Sequence, residues 1–321
     1  MNSPETRPAI LLIDDEERIL RSLEILFRGR YRLHITTDPQ TALTTIAREP
    51  VHVVVSDQRM PLMSGADLLR EVRRLSPNTM RILLTGYSEL DAIVASVNEG
   101  EIFRYVNKPW MAAELRSTVE QASGIAMQMF AASQQAVDSR IPEPAAANNS
   151  AILVIDDDVT VFSAVKEIVG YAQTVYYAQS LEQAFMLLER EPIGVIISEL
   201  MVARESLTTA LKMLKSQHPE VVTIVMTPFR DTAVLVGLIN QGQVYRILPK
   251  PLRAGPLGMN IASALRQHRL LSASPVLRQR HAVEQISAPE EVSVANRMMS
   301  FLGRLRGRTN VWPPLPEIRQ S

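Results

Sequence analysis

The chain has 321 residues, 46% hydrophobic and 21% charged, a balance typical of globular protein and a length that suits about two domains. Lys plus Arg and Asp plus Glu number 34 each, so no global field recruits nucleic acid or an anionic membrane. The lack of cysteine excludes disulfides, thiolate metal sites and thiol catalysis. No apolar run reaches the length of a membrane span, and "MNSPETRPAI" lacks the basic-then-apolar pattern of a secretory signal. A cytoplasmic location is therefore expected.

In chain order, short apolar runs predict strands at Ala9–Ile13, Arg32–Thr36, Val51–Ser56, Met80–Leu84 and Ile102–Val106. Helical periodicity lies between them, near 16–29, 39–48, 65–75 and 88–98, and again from 110 onward. The strands are continuous in Val, Ile and Leu rather than alternating, as in a parallel sheet buried on both faces. Five βα units in about 120 residues make a doubly wound α/β domain. In such folds ligands sit at the carboxyl ends of the strands.

The pattern then repeats. "AILLIDDEERILRSL" from Ala9 matches "AILVIDDDVTVFSAV" from Ala151, "RILLTGYSEL" matches "TIVMTPFRDT", and "EIFRYVNKPW" matches "QVYRILPKPL". Each pair is offset by 142 positions, which means a duplicated domain rather than a solenoid unit. Between the halves, Leu115, Val119, Ile125 and Met129 extend the last helix to about Val137, until "RIPEPAAANNSA" breaks it. That helix either simply joins the domains or is a dimerising or signal-carrying helix, the dimerising case giving a homodimer. Beyond Ser272 comes a linker, then "VSVANRMMSFLGRLRGR", a candidate basic amphipathic helix, then a Pro-rich end.

Three carboxylates of the first half end strands on one edge: Asp14 and Asp15 after the first, Asp57 after the third. Two charges about 4 Å apart cost roughly 4 kcal/mol at an effective dielectric of about 20, so convergence calls for raised pKa values or a cation. With only oxygen ligands, that cation is Mg²⁺. Thr85 ends the fourth strand and Lys108 the fifth, so a hydroxyl and an ammonium also face Asp57. Such a group can hold a tetrahedral anion on Asp57, which would act as a nucleophile and become an aspartyl phosphate. Taken singly, an acidic pair can be a helix cap and a Lys-Pro a turn. Five such pieces in order are specific.

These residues resemble the receiver domain of two-component response regulators over residues 8 to about 125. The resemblance implies a flavodoxin-like, five-stranded parallel sheet, here twice in tandem, with a short C-terminal tail. It implies Mg²⁺ on Asp14, Asp15, Asp57 and the Arg59 backbone carbonyl. Asp57 would be the phosphoacceptor for a histidine kinase or His phosphotransfer protein. Thr85 and Lys108 would contact the phosphate, and Tyr105 would be the switch aromatic that turns inward as Thr85 moves. Bulk at Arg59 and Tyr87 suggests a long-lived phosphoryl state. The wording is closest to receivers that precede hydrogenase-type transcription regulators or cyclic-dinucleotide phosphodiesterases, but no such output domain follows.

The second half keeps Asp156, Asp157, Thr227 and Lys250 but places Glu199 at the acceptor position. Ile247 stands where Tyr105 stands, Ala203 replaces Pro61, Leu207 replaces Gly65, and Pro228 replaces Gly86. A Glu carboxylate reaches about 1.5 Å further than Asp and misplaces in-line attack. This half reads as a degenerate pseudo-receiver, either inert or imitating phosphorylation through a Glu199–Lys250 pair. The expected division is a receiver over 8–125, helix and linker over 126–149, the pseudo-receiver over 150–271 and a tail over 272–321.

A non-enzymatic response regulator acting through an unidentified downstream protein is the leading reading. A phosphorelay intermediate or phosphate sink is the second. A DNA-binding regulator is disfavoured by the neutral charge, and an enzyme by the lack of any further catalytic constellation.

Overall fold

The computed structural model describes residues 7–86, 98, 101–138, 150–203, 205–228, 236–240, 244–251, 253–274 and 277–278. All of them lie within one compact unit, Met1–Glu284. The expected helix near 88–98, apart from Asn98, falls outside the described residues. So do Tyr87, the prolines of the linker and the candidate amphipathic helix of the tail.

The first half runs β1 (Ala9–Ile13), α1 (Glu17–Phe27), β2 (Arg32–Thr36), α2 (Pro39–Arg48), β3 (Val53–Asp57), α3 (Gly65–Leu75), β4 (Met80–Thr85), β5 (Arg104–Asn107) and α4 (Ala112–Asp138). Its strands form one parallel sheet in the order β2-β1-β3-β4-β5. The second half runs β6 (Ala151–Ile155), α5 (Val159–Val169), β7 (Val175–Ala178), α6 (Leu181–Arg190), β8 (Ile193–Ser198), a small β9–β10 hairpin (Met201–Val202, Glu205–Ser206), α7 (Thr208–Gln217), β11 (Val222–Thr227), β12 (Arg246–Pro249) and α8 (Ala254–Ala273). Its sheet has the same order, β7-β6-β8-β11-β12, and is again parallel. Two doubly wound, flavodoxin-like domains stand in tandem, as expected.

Strand ends shift by one to two residues from the sequence reading. β3 begins at Val53 and includes Asp57, and β5 begins at Arg104, because ladder pairing rather than apolar content sets the bounds. Every residue of β1, β3 and β4 is buried, which explains their mainly apolar sequences. Each buried Val, Leu, Ile or Met side chain among them contributes about 1.5–3 kcal/mol of hydrophobic stabilisation. Helix starts follow local chemistry. Asp38 accepts from the N–H groups of Gln40 and Thr41 ahead of Pro39 at the first turn, and Ser64 accepts from Asp67. The helix α4 continues past residue 125 with Ala126 and Met129 still buried in the first core.

The two cores fill matched positions differently. His52 opens onto β3 in the first half, its Nδ1 accepting from the Ala9 N–H at 3.0 Å while its ring packs on Phe130. The equivalent position in the second half is Gly194, where a Cβ would lie 2.6–2.7 Å from the His268 ring. His268 in turn occupies the place of Ala126. The imidazole has changed element and glycine makes room for it. An apolar cluster also joins the halves, with Leu83, Ile102 and Tyr105 of the first among Val236, Ile239, Val244 and Ile247 of the second.

Candidate functional site: an acidic cleft and its altered twin

β1, β3, β4 and β5 all end on one edge, so the side chains that follow them meet. The order reversal between β1 and its two neighbours opens the crevice there. Asp14, directly after β1, is fully buried. Its Oδ1 accepts the Glu16 backbone N–H at 2.9 Å and its Oδ2 accepts from Lys108 Nζ at 2.8 Å. Asp57, the last residue of β3, is 5% exposed. Its Oδ2 accepts the Arg59 backbone N–H at 2.7 Å and its Oδ1 pairs with Lys108 Nζ at 2.6 Å. Asp15 is exposed beside them. The three aspartates offer oxygens that all lie within 4.8 Å of one another.

This arrangement removes the bland reading of the acidic pair. The N-cap of α1 is Glu16, so neither Asp14 nor Asp15 is spent on capping. Burial raises the Asp14 pKa, and the hydrogen bond and charge of Lys108 offset that only in part. Burial also works to lower the Lys108 pKa, but bonds and charges from Asp14 and Asp57 together outweigh it and the net shift is upward. Lys108 is thus held as an ammonium at the centre of the cleft. Its own N–H donates to the Thr85 carbonyl at 2.8 Å, fixing the ends of β4 and β5 to each other. Thr85 is buried, with Oγ1 directed to the Gly86 carbonyl at 3.2 Å. Tyr105, paired with Leu83 in the sheet, is 2% exposed.

Gly65 is dictated by the Asp57 backbone. A Cβ there would lie 2.0 Å from the Asp57 carbonyl oxygen and 2.8 Å from Leu83 Cδ1. Gln58 adds a support that the sequence reading overlooked. Its carbonyl accepts from the Gly65 N–H at 3.0 Å and its side-chain Oε1 from the Ala66 N–H at 3.1 Å, so it ties the acceptor loop to the start of α3. The available signal was its twin, since position 200 is an apolar Leu.

The second half repeats the frame. Asp156 is buried, its Oδ1 accepting the Asp158 N–H at 2.9 Å. Lys250 Nζ lies 2.8 Å from both Asp156 Oδ2 and Glu199 Oε2. Burial works to lower the Lys250 pKa, yet the two carboxylates again carry it upward. Both Lys-Pro bonds, 108–109 and 250–251, are cis. Asp157 is exposed and Thr227 buried, matching Asp15 and Thr85.

The differences gather at Asp57 and its twin Glu199. Glu199 Oε1 accepts the N–H of the very next residue, Leu200, at 2.8 Å, whereas Asp57 reaches the residue two ahead. Among the described residues, Asp156, Asp157 and Glu199 make no metal-sized cluster. The loop still closes through the same backbone bond, Leu207 N–H to Leu200 carbonyl at 2.9 Å. Inside that closure, the loss of Pro61 and Gly65 equivalents gives way to the β9–β10 hairpin, with Ala203 at φ 51°. The sequence showed that the turn chemistry was gone but not what replaced it.

These buried carboxylates and their central ammonium lie at the strand ends of a doubly wound sheet, the edge where ligands sit in such folds. The response regulator receiver domain family matches residues 10–120 and again 152–262, and the chain belongs to this family. The chain is 36% identical over 118 residues to the hydrogenase transcriptional regulatory protein HoxA of Cupriavidus necator, covering 37% of this chain and 24% of that protein. The response regulator protein PilR of Pseudomonas aeruginosa is 30% identical over 138 residues, 42% of this chain and 30% of its own length. The chain therefore spans about a quarter to a third of these relatives. Among solved structures, the signal receiver domain of an HD domain-containing protein from Pseudomonas fluorescens is 41% identical, covering 38% of this chain and 98% of that one at a TM-score of 0.37. No helix among the described residues is long and apolar enough to cross a membrane.

Proposed function

We propose that the first receiver is a phosphorylatable switch whose acceptor is Asp57, and that the second is a pseudo-receiver that Glu199 keeps unphosphorylated. The phosphoryl donor would be a histidine kinase or a His phosphotransfer protein. The observation that carries this reading is the convergence of Asp14, Asp15 and Asp57 with Lys108 Nζ at 2.6 Å from Asp57.

In the transfer, a carboxylate oxygen of Asp57 attacks phosphorus and forms a P–O bond. The P–N bond to the donor imidazole breaks, and its electron pair stays on nitrogen. The Arg59 N–H and the β3 ladder hold the carboxylate in one orientation, so little motion is required before attack. Lys108 sits where negative charge accumulates on the transferred group. Thr85 supplies a hydroxyl at the end of the adjacent strand. The all-oxygen donor set of Asp14, Asp15, Asp57 and the Arg59 carbonyl fits Mg²⁺, which when bound neutralises charge on the phosphoryl oxygens.

The new dianion then biases a two-state element comprising Thr85 and Tyr105, and the output is a change in protein contacts rather than turnover of a substrate. Incubation with acetyl phosphate and Mg²⁺ tests the assignment. Wild type and Glu199→Gln should take up label equally, and Asp57→Asn should take up none. Label persisting in Asp57→Asn would overturn the reading.

A further inference from the structure

Two asparagines fasten the halves to each other. Asn240 lies across β5: its Oδ1 accepts the Tyr105 N–H at 2.8 Å and its Nδ2 donates to the Tyr105 carbonyl at 2.7 Å. Asn98 does the same across β12, its Oδ1 accepting the Ile247 N–H at 2.9 Å and its Nδ2 donating to the Ile247 carbonyl at 2.8 Å. Asn98 and Asn240 are separated by the repeat offset of 142, and so are Tyr105 and Ile247. The contact is therefore pseudo-two-fold, with the same bond pair made once in each direction.

β5 and β12 are edge strands, whose outer N–H and C=O groups call for a partner. A primary amide carries one carbonyl and two N–H donors and can stand in for a neighbouring strand at one residue. Each asparagine does this for the other half. Around the pair, Ile102 and Tyr105 belong to one buried cluster with Val236, Ile239, Val244 and Ile247, so the half-buried clasp is backed by apolar packing. Because the bonds reach main-chain groups, they survive the replacement of Tyr105 by Ile247.

β5 also serves the acidic cleft. Lys108, which follows it, reaches both Asp57 and Asp14, and the Lys108 N–H is bonded to Thr85. One short strand thus links the cleft at its end with the clasp at Tyr105.

We infer that the pseudo-receiver is the resident occupant of the first receiver's fifth-strand edge, and that a phosphoryl group on Asp57 loosens this grip. The occupancy stands on the observed bonds; the coupling rests on the phosphoacceptor reading above. A phosphoryl group places a bulky dianion where Lys108 now meets the Asp57 carboxylate directly. Lys108 and the ends of β4 and β5 re-seat around it, while Asn240 and its apolar surround fit β5 where it stands with Lys108 on Asp57. Buried interfaces switch between discrete arrangements rather than stretch.

Amide hydrogen exchange on the full-length chain tests both parts, read at Tyr105 and Ile247. Either Asn98→Ala or Asn240→Ala should speed exchange at both amides by about tenfold, since each removes two hydrogen bonds from one cooperative contact. Acceleration confined to the amide facing the substitution would overturn the shared clasp. Acetyl phosphate with Mg²⁺ should speed exchange at Ile247 in wild type, in the half that carries no label, and should do nothing in Asp57→Asn. Intact-mass measurement on the same samples separates the two ways to fail. Label at Asp57 with unchanged or slower exchange at Ile247 would overturn the coupling alone. No label at Asp57 would overturn the phosphoacceptor reading and the coupling with it, leaving the asparagine variants to decide the occupancy.

Discussion

Lys108 and Lys250 occupy the same place in two sheets of the same strand order, each bridging a buried aspartate and the carboxylate at the third strand's end at 2.6–2.8 Å. What separates the sites is one methylene and the loop beyond it. Asp57 is short enough to take the Arg59 N–H and leave its other oxygen in the cleft with Asp14 and Asp15. Glu199 reaches Lys250 while its other oxygen is folded back on the Leu200 N–H. A carboxylate–lysine pair is thus retained easily, because it satisfies a buried aspartate and stabilises the strand ends. A phosphoacceptor demands more: a fixed carboxylate, room around it and a loop that keeps clear. The lesson is that the frame and the chemistry are separable.

Removing the two lysines should split the halves most sharply. Lys108→Ala should slow acetyl phosphate labelling by about 10²–10³-fold, the usual cost of losing a charge-stabilising donor, whereas Lys250→Ala should leave the labelling rate within about twofold of wild type. Equal losses in a stopped-time labelling series would erase the functional distinction.

Gly65 and Leu207 offer a stability version of the same contrast. Gly65→Ala puts a Cβ 2.0 Å from the Asp57 carbonyl, a backbone atom that cannot step aside, so urea unfolding should show about 1–3 kcal/mol of destabilisation. Leu207→Ala should instead cost the truncation of a side chain that is 1% exposed, without touching the first site's labelling.

A pH-dependent contrast is expected at Lys215, the twin of Arg73. Arg73 is half-exposed and paired with Glu101, but Lys215 is fully buried with Nζ donating to the Pro219 and Val221 carbonyls. Burial pushes its pKa down to about 7, against about 10.4 in an unfolded chain. Between those values the unfolded state binds the extra proton, so stability rises with pH through this window and is flat for this group below about 7. Wild type compared with Lys215→Met should show that rise from pH 7 to 10 in thermal melts, and a difference independent of pH would contradict it.

Much of this was legible in the sequence. The parallel sheets followed from runs of β-branched and Leu residues, and the 142-residue offset paired every landmark. Asp14, Asp57, Thr85 and Lys108 were found because strand ends on one edge must converge. Other features were hidden for physical reasons. The β9–β10 hairpin was illegible because losing Pro and Gly says only that one turn is gone. Gln58 was passed over because a backbone carbonyl and an amide oxygen leave no motif. No motif singles out Asn98 and Asn240, whose role depends on the edge strand of the other half lying against them. Nothing in the sequence marks Lys215 as buried, since its burial depends on how α7 seats on the sheet.

The division of labour between the halves is tested most directly by counting phosphoryl groups. Intact-mass and peptide analysis of the Mg²⁺–acetyl phosphate product should show one per chain, on the peptide containing Asp57. Glu199→Asp should still give one, because the hairpin loop, Leu207 and Ile247 leave the second cleft without the rest of the acceptor apparatus. Two phosphoryl groups in Glu199→Asp, or any on the Glu199 peptide of wild type, would contradict the account.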